Sequence, residues 1–184
     1  MNRVTIFIAT PLMGALLLTG CASSTAPSPS LSTLVAPSMS LAPTGSTHEV
    51  TFSSSITSTE KHTTAVGPHG EALYGSVLEG GPTTFDGQSA TIDMNVLVDY
   101  VSGNGPFVGL MTITMADGST LGFTMVGNTV ASADTSDATF VSSLTVIGGT
   151  KMYENASGSG SWSGSRKHAF GTAVSMDATI SFTS

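Results

Sequence analysis

The sequence predicts an all-β domain, an eight-stranded antiparallel β-barrel, standing behind an export leader and an extended tether. Three observations carry that prediction. Beyond Thr47, apolar and polar residues alternate with a period of two, and no window sustains a helical period. The composition is 40% hydrophobic but only 9% charged, with 21 glycines and much Ser and Thr, which suits pleated strands joined by tight turns. About eight such runs follow one another at short spacing, and none reads as a protected edge, so a sheet closed on itself is favoured over an open one.

The chain begins with a leader, residues 1–20. Arg3 supplies a positive start, and Val4 to Leu18 is mostly apolar but interrupted by Pro11 and Gly14, too short and broken for a spanning helix. It ends in Leu18-Thr19-Gly20-Cys21, which resembles the bacterial lipobox. That resemblance implies that Cys21 receives a diacylglycerol, becomes the new N-terminus and anchors an exported protein to the cell membrane or outer membrane. Acyl chains contribute about 0.8 kcal/mol per buried methylene, so two or three of them hold stably. Ala22, after the cysteine, does not resemble an inner-membrane retention signal.

Residues 21–47 form the tether: Ser, Thr, Pro and Ala without a charge, in which Pro27, Pro29, Pro37 and Pro43 exclude regular structure. Residues 48–184 form the barrel domain. Val50, Phe52 and Ile56 lie on one face of a first strand, and Ala72 to Leu78 is a second. Ile92, Met94, Val96, Val98 and Tyr100 alternate along a third. Further strands cover Phe107 to Met115, Leu121 to Val130, Phe140 to Ile147 and, more weakly, Gly158 to Ser165 around Trp162. The last carries Phe170, Val174, Met176, Ile180 and Phe182.

One hairpin is specified in detail. A two-residue loop at Asp117-Gly118 would place Met111, Ile113 and Met115 on the opposite face from Leu121, Phe123 and Met125. A three-residue loop, Ala116-Asp117-Gly118, keeps them together, pairs Ile113 with Leu121 and Met111 with Phe123, and puts Gly118 in the left-handed position.

The stretch Leu144 to Gly158, with Gly148-Gly149-Thr150, Lys151, Met152-Tyr153 and Ala156-Ser157-Gly158, resembles the Gly-Gly turn segment of dirigent proteins and of the allene oxide cyclase barrel-like family. Lys151 stands where that family usually has glycine. The resemblance implies a calycin-like eight-stranded barrel with an apolar cavity, often a homo-trimer; no catalytic residue is carried over. In physical terms, Gly148 and Gly149 permit positive φ after a buried strand, Met152 and Tyr153 fold back as a plug over one barrel end, and Gly158 and Gly160 let the next strand bend.

With Arg3 in the leader, four basic residues face twelve acidic ones in the mature chain, a net charge of −8 that repels nucleic acid. A single cysteine allows no internal disulfide. His48, His62, His69 and His168 lack metal-ligand spacing, and no nucleophile elbow, P-loop or dinucleotide fingerprint is present, so neither a cofactor nor a metal nor a catalytic set is assigned. Asp93, Asn95 and Asp99 share the outer face of the third strand. The expected role is to bind a small apolar ligand or to mediate protein contacts, without catalysis. Candidate lumen residues are Met94, Val96, Tyr100, Met111, Phe123, Met125 and Trp162, since methionine adapts to varied apolar shapes, though ordinary core filling is the stronger reading of the methionines. The alternative is an enzyme guiding cyclisation or coupling of an apolar substrate, which needs an inward polar group such as Asp93, Asp99, Glu154 or Asn155; a third reading is a structural trimer with a solid core.

Overall fold

The computed structural model describes residues 45–133, 136–168 and 171–184. The leader, Cys21, the tether up to residue 44 and Phe170 lie outside the described residues. The strands are β1 (Thr47–Val66), β2 (Ala72–Phe85), β3 (Gln88–Val101), β4 (Gly105–Met115), β5 (Thr120–Ala131), β6 (Ala138–Gly149), β7 (Ser157–Arg166) and β8 (Val174–Thr183), with one 3₁₀ turn at Lys151–Tyr153. They form a closed barrel in sequence order, each strand antiparallel to the next. Closure comes from β1 against β8, where Phe52 pairs with Ala178 and Ile56 with Val174.

Alternation sorts the side chains as anticipated. In β3 every second residue from Ala90 to Tyr100 is buried and every residue between is exposed, including Asp93, Asn95 and Asp99. Ile92, Ile113, Leu121, Phe123 and Ile180 are fully buried, each contributing about 1.5–3 kcal/mol through removal from water. The β4–β5 hairpin has the anticipated register, Ile113 opposite Leu121 and Met111 opposite Phe123, with Gly118 at φ +76°.

β1 and β2 run much further than their apolar runs suggest. β1 spans 20 residues because it serves two neighbours: its first half pairs with β8 and its second with β2. A bulge between Ser58 and Glu60 separates the two halves. The extra residue flips the facing pattern, so that beyond it Lys61 stands opposite buried Val77 and shares its face. β2 continues through Gly80-Gly81-Pro82 to Phe85, which is fully buried.

The barrel end where β1 begins is sealed by rings. Phe85 meets Phe52 at 5.5 Å, Phe182 at 6.3 Å and Tyr153 at 6.5 Å between centroids. Tyr153 is the plug that the Gly-Gly turn was expected to deliver; Met152, expected beside it, is 59% exposed. One 3₁₀ turn cannot bury both consecutive side chains, which leave it in different directions. Gly148 has φ +97°, whereas Gly149 has no positive φ. A Cβ on Gly149 would instead strike the Thr120 carbonyl oxygen, so that glycine serves close approach rather than backbone handedness. Lys151 takes a positive φ of 55° and donates from Nζ to the Asp117 carbonyl oxygen, tying the turn to the β4–β5 hairpin. Thr150 completes the tie: its backbone N–H donates to the Thr120 carbonyl oxygen at 3.0 Å and its Oγ1 accepts from the Thr120 N–H at 3.0 Å.

Candidate functional site

The opposite end of the barrel is lined differently. Tyr100 from β3, Phe107 from β4, Phe140 from β6 and Trp162 from β7 form an aromatic wall, with Trp162 at 5.7 Å from Phe107 and 6.3 Å from Phe140 between centroids. Inside the wall stand polar groups that alternation carries inward: Glu79 from β2, opposite Met94, and Arg166 at the end of β7. The guanidinium of Arg166 lies 5.7 Å over the Phe140 ring, a cation–π geometry. Together with Val77, Val96 and Val98 these residues line a cavity of about 20 Å³. That is room for about one water molecule.

The polar groups are only partly satisfied. Glu79 is half-buried and accepts a hydrogen bond from Ser58 Oγ at 3.1 Å, across the strand pair beside the bulge. Burial pushes its carboxyl above the ordinary range, and that outweighs the opposing pull of the Ser58 bond and of the Arg166 and Lys61 charges. Tyr100 is buried, and its hydroxyl accepts from Thr129 Oγ1 at 2.9 Å, leaving its own proton to donate. Burial raises the phenol pKa and lowers that of Arg166. Trp162 is 5% exposed, and among the described residues its indole N–H has no acceptor.

Of the residues expected to line a lumen, Val96, Tyr100 and Trp162 meet at this cavity. Met94, Met111, Phe123 and Met125 lie buried in the core cluster and outside the cavity wall. The core also takes Met115 and Met176, so five of the domain's methionines fill space. The polar groups considered for an inward role, Asp93, Asp99, Glu154 and Asn155, are all exposed. Sequence reading missed Glu79 and Arg166. Glu79 precedes Gly80-Gly81-Pro82, which reads as a loop, and its inward aim emerges only when β2 is carried through to Phe85. Arg166 continues the alternation Gly158, Gly160, Trp162, Gly164, a signal visible in the sequence once Trp162 is taken as inward.

Outside the wall, a depression of about 640 Å³ lies over β7, floored by Ser161 and Ser163 and flanked by Val126, Val141, Asp177 and Thr179. It is a shallow surface feature. Among the described residues no group of three or more His, Cys, Asp or Glu is placed to hold a metal ion. Compared with known proteins, the chain matches no family model and no curated protein. Fold and site together define a closed eight-stranded antiparallel barrel, ring-sealed at one end and carrying a small donor-lined cleft at the other.

Proposed function

We propose that this barrel is the non-catalytic, ligand-binding head of an envelope lipoprotein, held to the membrane through Cys21 and related to the allene oxide cyclase and dirigent barrels. The observation that carries the reading is the indole N–H of Trp162, buried in an aromatic wall without an acceptor among the described residues. Leaving such a donor unmade costs about 1–3 kcal/mol, a cost that a bound acceptor removes. Because the rest of the interior is filled, the ligand enters at the cleft and makes room by moving side chains there rather than occupying the barrel axis.

A second reading is enzymatic. Glu79 is an inward carboxyl whose raised pKa suits proton transfer to or from an apolar substrate undergoing cyclisation or coupling. Turnover by the native protein that is lost in Glu79→Gln would favour it.

The protein-contact role rests on the outer wall. Leu97, Val108 and Val126 lie directly opposite one another across β3, β4 and β5 and are all exposed, with Leu110 and Val141 beside them. Such a stripe fits a subunit contact in a homo-trimer. Native mass spectrometry of the protein from its own host tests both proposals together. The expected result is a trimer retaining a small molecule; a ligand-free monomer would overturn the reading.

A further inference from the structure

We infer that the cleft selects an apolar molecule carrying a neutral carbonyl group, whose oxygen accepts from the indole N–H of Trp162; this rests on the ligand-binding reading above. The surroundings of that donor explain why it stands unmet. Trp162 is more than nine-tenths buried in the cleft wall, and its Nε1 has no partner among the described residues. Its inward neighbours on β7 are Gly160 and Gly164, which bring no side chain. A Cβ on Gly164 would stand only 3.1 Å from the indole ring, so glycine is what lets the ring lie back against its own strand. Directly opposite Trp162 are Ser142 on β6 and Ala178 on β8. Ala178 has no side-chain polar atom. The Ser142 hydroxyl is turned to the main chain, donating to the carbonyl oxygens of Val126 and Ser143, each at 3.1 Å. Sequence and register thus build a buried donor with nothing beside it to receive its hydrogen.

Polarity and size then fix the class of ligand. Among the described residues no buried side-chain acceptor is without a partner. A hydroxyl head would bring a proton that needs such an acceptor, whereas a carbonyl oxygen accepts and brings none. The cavity of about 20 Å³ has room for about one water-sized group, which a single carbonyl oxygen matches. A carboxylate is larger, and it would set a second carboxyl beside Glu79, which lines the same cleft. The chain also carries twelve acidic residues against five basic ones, an excess that disfavours anions in general. The carbonyl oxygen therefore sits beside Trp162. The apolar body lies along Phe107 and Phe140, whose ring centroids are 5.7 Å and 6.3 Å from that of the indole.

Trp162 is the chain's only tryptophan, so its spectrum reports on the site directly. The intact lipidated chain in phosphatidylcholine vesicles is titrated with methyl hexyl ketone, octane, octanol and octanoate, probes of one carbon count. The ketone is expected to bind about tenfold tighter than octane, the effect of one hydrogen bond to a donor otherwise unmet. It is also expected to bind more tightly than octanol or octanoate. The resonance Raman band of the indole that senses its N–H should move to the hydrogen-bonded position with the ketone and stay in place with octane. That reading needs no variant and separates contact at Trp162 from partition into lipid. Trp162→Phe keeps an aromatic ring in the wall and deletes the N–H. Followed by calorimetry, it is expected to lose the preference for the ketone over octane while the barrel still melts cooperatively. A ketone that does not bind, another probe bound as tightly as the ketone, or an indole band unmoved by it overturns this inference and leaves the ligand-binding reading standing. Absence of binding by all four probes, with no ligand carried from the host, overturns that reading itself.

Discussion

Glu79 and the two hairpin aspartates Asp117 and Asp137 are carboxyls moved in opposite directions, and they act on stability at opposite ends of the pH scale. Burial raises Glu79 in the folded barrel, so its contribution is fully present below the unfolded pKa and is lost as pH rises through the folded value. Asp117 is lowered, chiefly by the hydroxyl of Ser119 at 2.5 Å, and Asp137 by the ammonium of Lys167 at 2.9 Å. Their contributions are present above the unfolded value and lost as pH falls through the folded one. Glu79→Gln is therefore expected to raise the melting temperature at about pH 8, with the gain shrinking as pH falls toward about 4 and the wild-type carboxyl takes up its proton in both states. Melting curves across that range check it; an equal gain at every pH would mean that the ionised carboxyl is not the source. The aspartates leave the opposite signature, and both should contribute to acid destabilisation of wild type and variant alike.

The strands differ in how openly the sequence declares them, and the reason is physical in each case. β3 to β6 alternate cleanly because their inner faces are large and apolar, and the register of the β4–β5 hairpin followed from keeping two such faces together. β1 and β2 were cut short because β1 changes face at the Ser58–Glu60 bulge and β2 carries Glu79, Gly80, Gly81 and Pro82 in mid-strand. A bulge breaks the period of two, and the inward carboxyl of Glu79 lay in that unread stretch. β7 is read from its glycines: a Cβ on Gly160 would strike the Thr179 carbonyl oxygen and the Ile180 side chain. Gly160→Val is therefore expected to cost about 3 kcal/mol or more, because the clash is with backbone that cannot yield. Gly118→Ala is the control. Its Cβ would reach only ordinary contact with Lys151 Nζ, so the cost is that of the left-handed backbone alone, about 1–2 kcal/mol. Urea unfolding of both variants separates the two mechanisms, and equal losses would refute the distinction.

At the scale of the whole molecule, the barrel wall divides into two outer faces. β7, β8 and the first half of β1 present Ser157, Ser159, Ser161, Ser163 and Ser165 beside Ser175, Thr179, Ser181, Thr51 and Ser53, a hydroxyl surface at ease in water. β3 to β6 present Leu97, Val108, Leu110, Val126 and Val141. The barrel closes through β1 against β8, and where the wall is paired on both sides a stable contact has to use side chains on a face. Among the described residues of these two faces, the second offers the apolar patch, with its central row in register across three strands. Val126, 64% exposed, sits in that row with its side chain directed away from the core. Val126→Lys should therefore leave folding nearly untouched, within about 0.5 kcal/mol, as outward substitutions do. In a trimer built on this face it would place three like charges in a desolvated contact and release monomers. Sedimentation of wild type and variant at matched concentration decides the matter: a wild-type trimer giving way to a variant monomer with an unchanged melting profile is expected. A wild type that is monomeric at about 100 μM, far above the concentration a stable interface requires, would remove self-association from the function of this face.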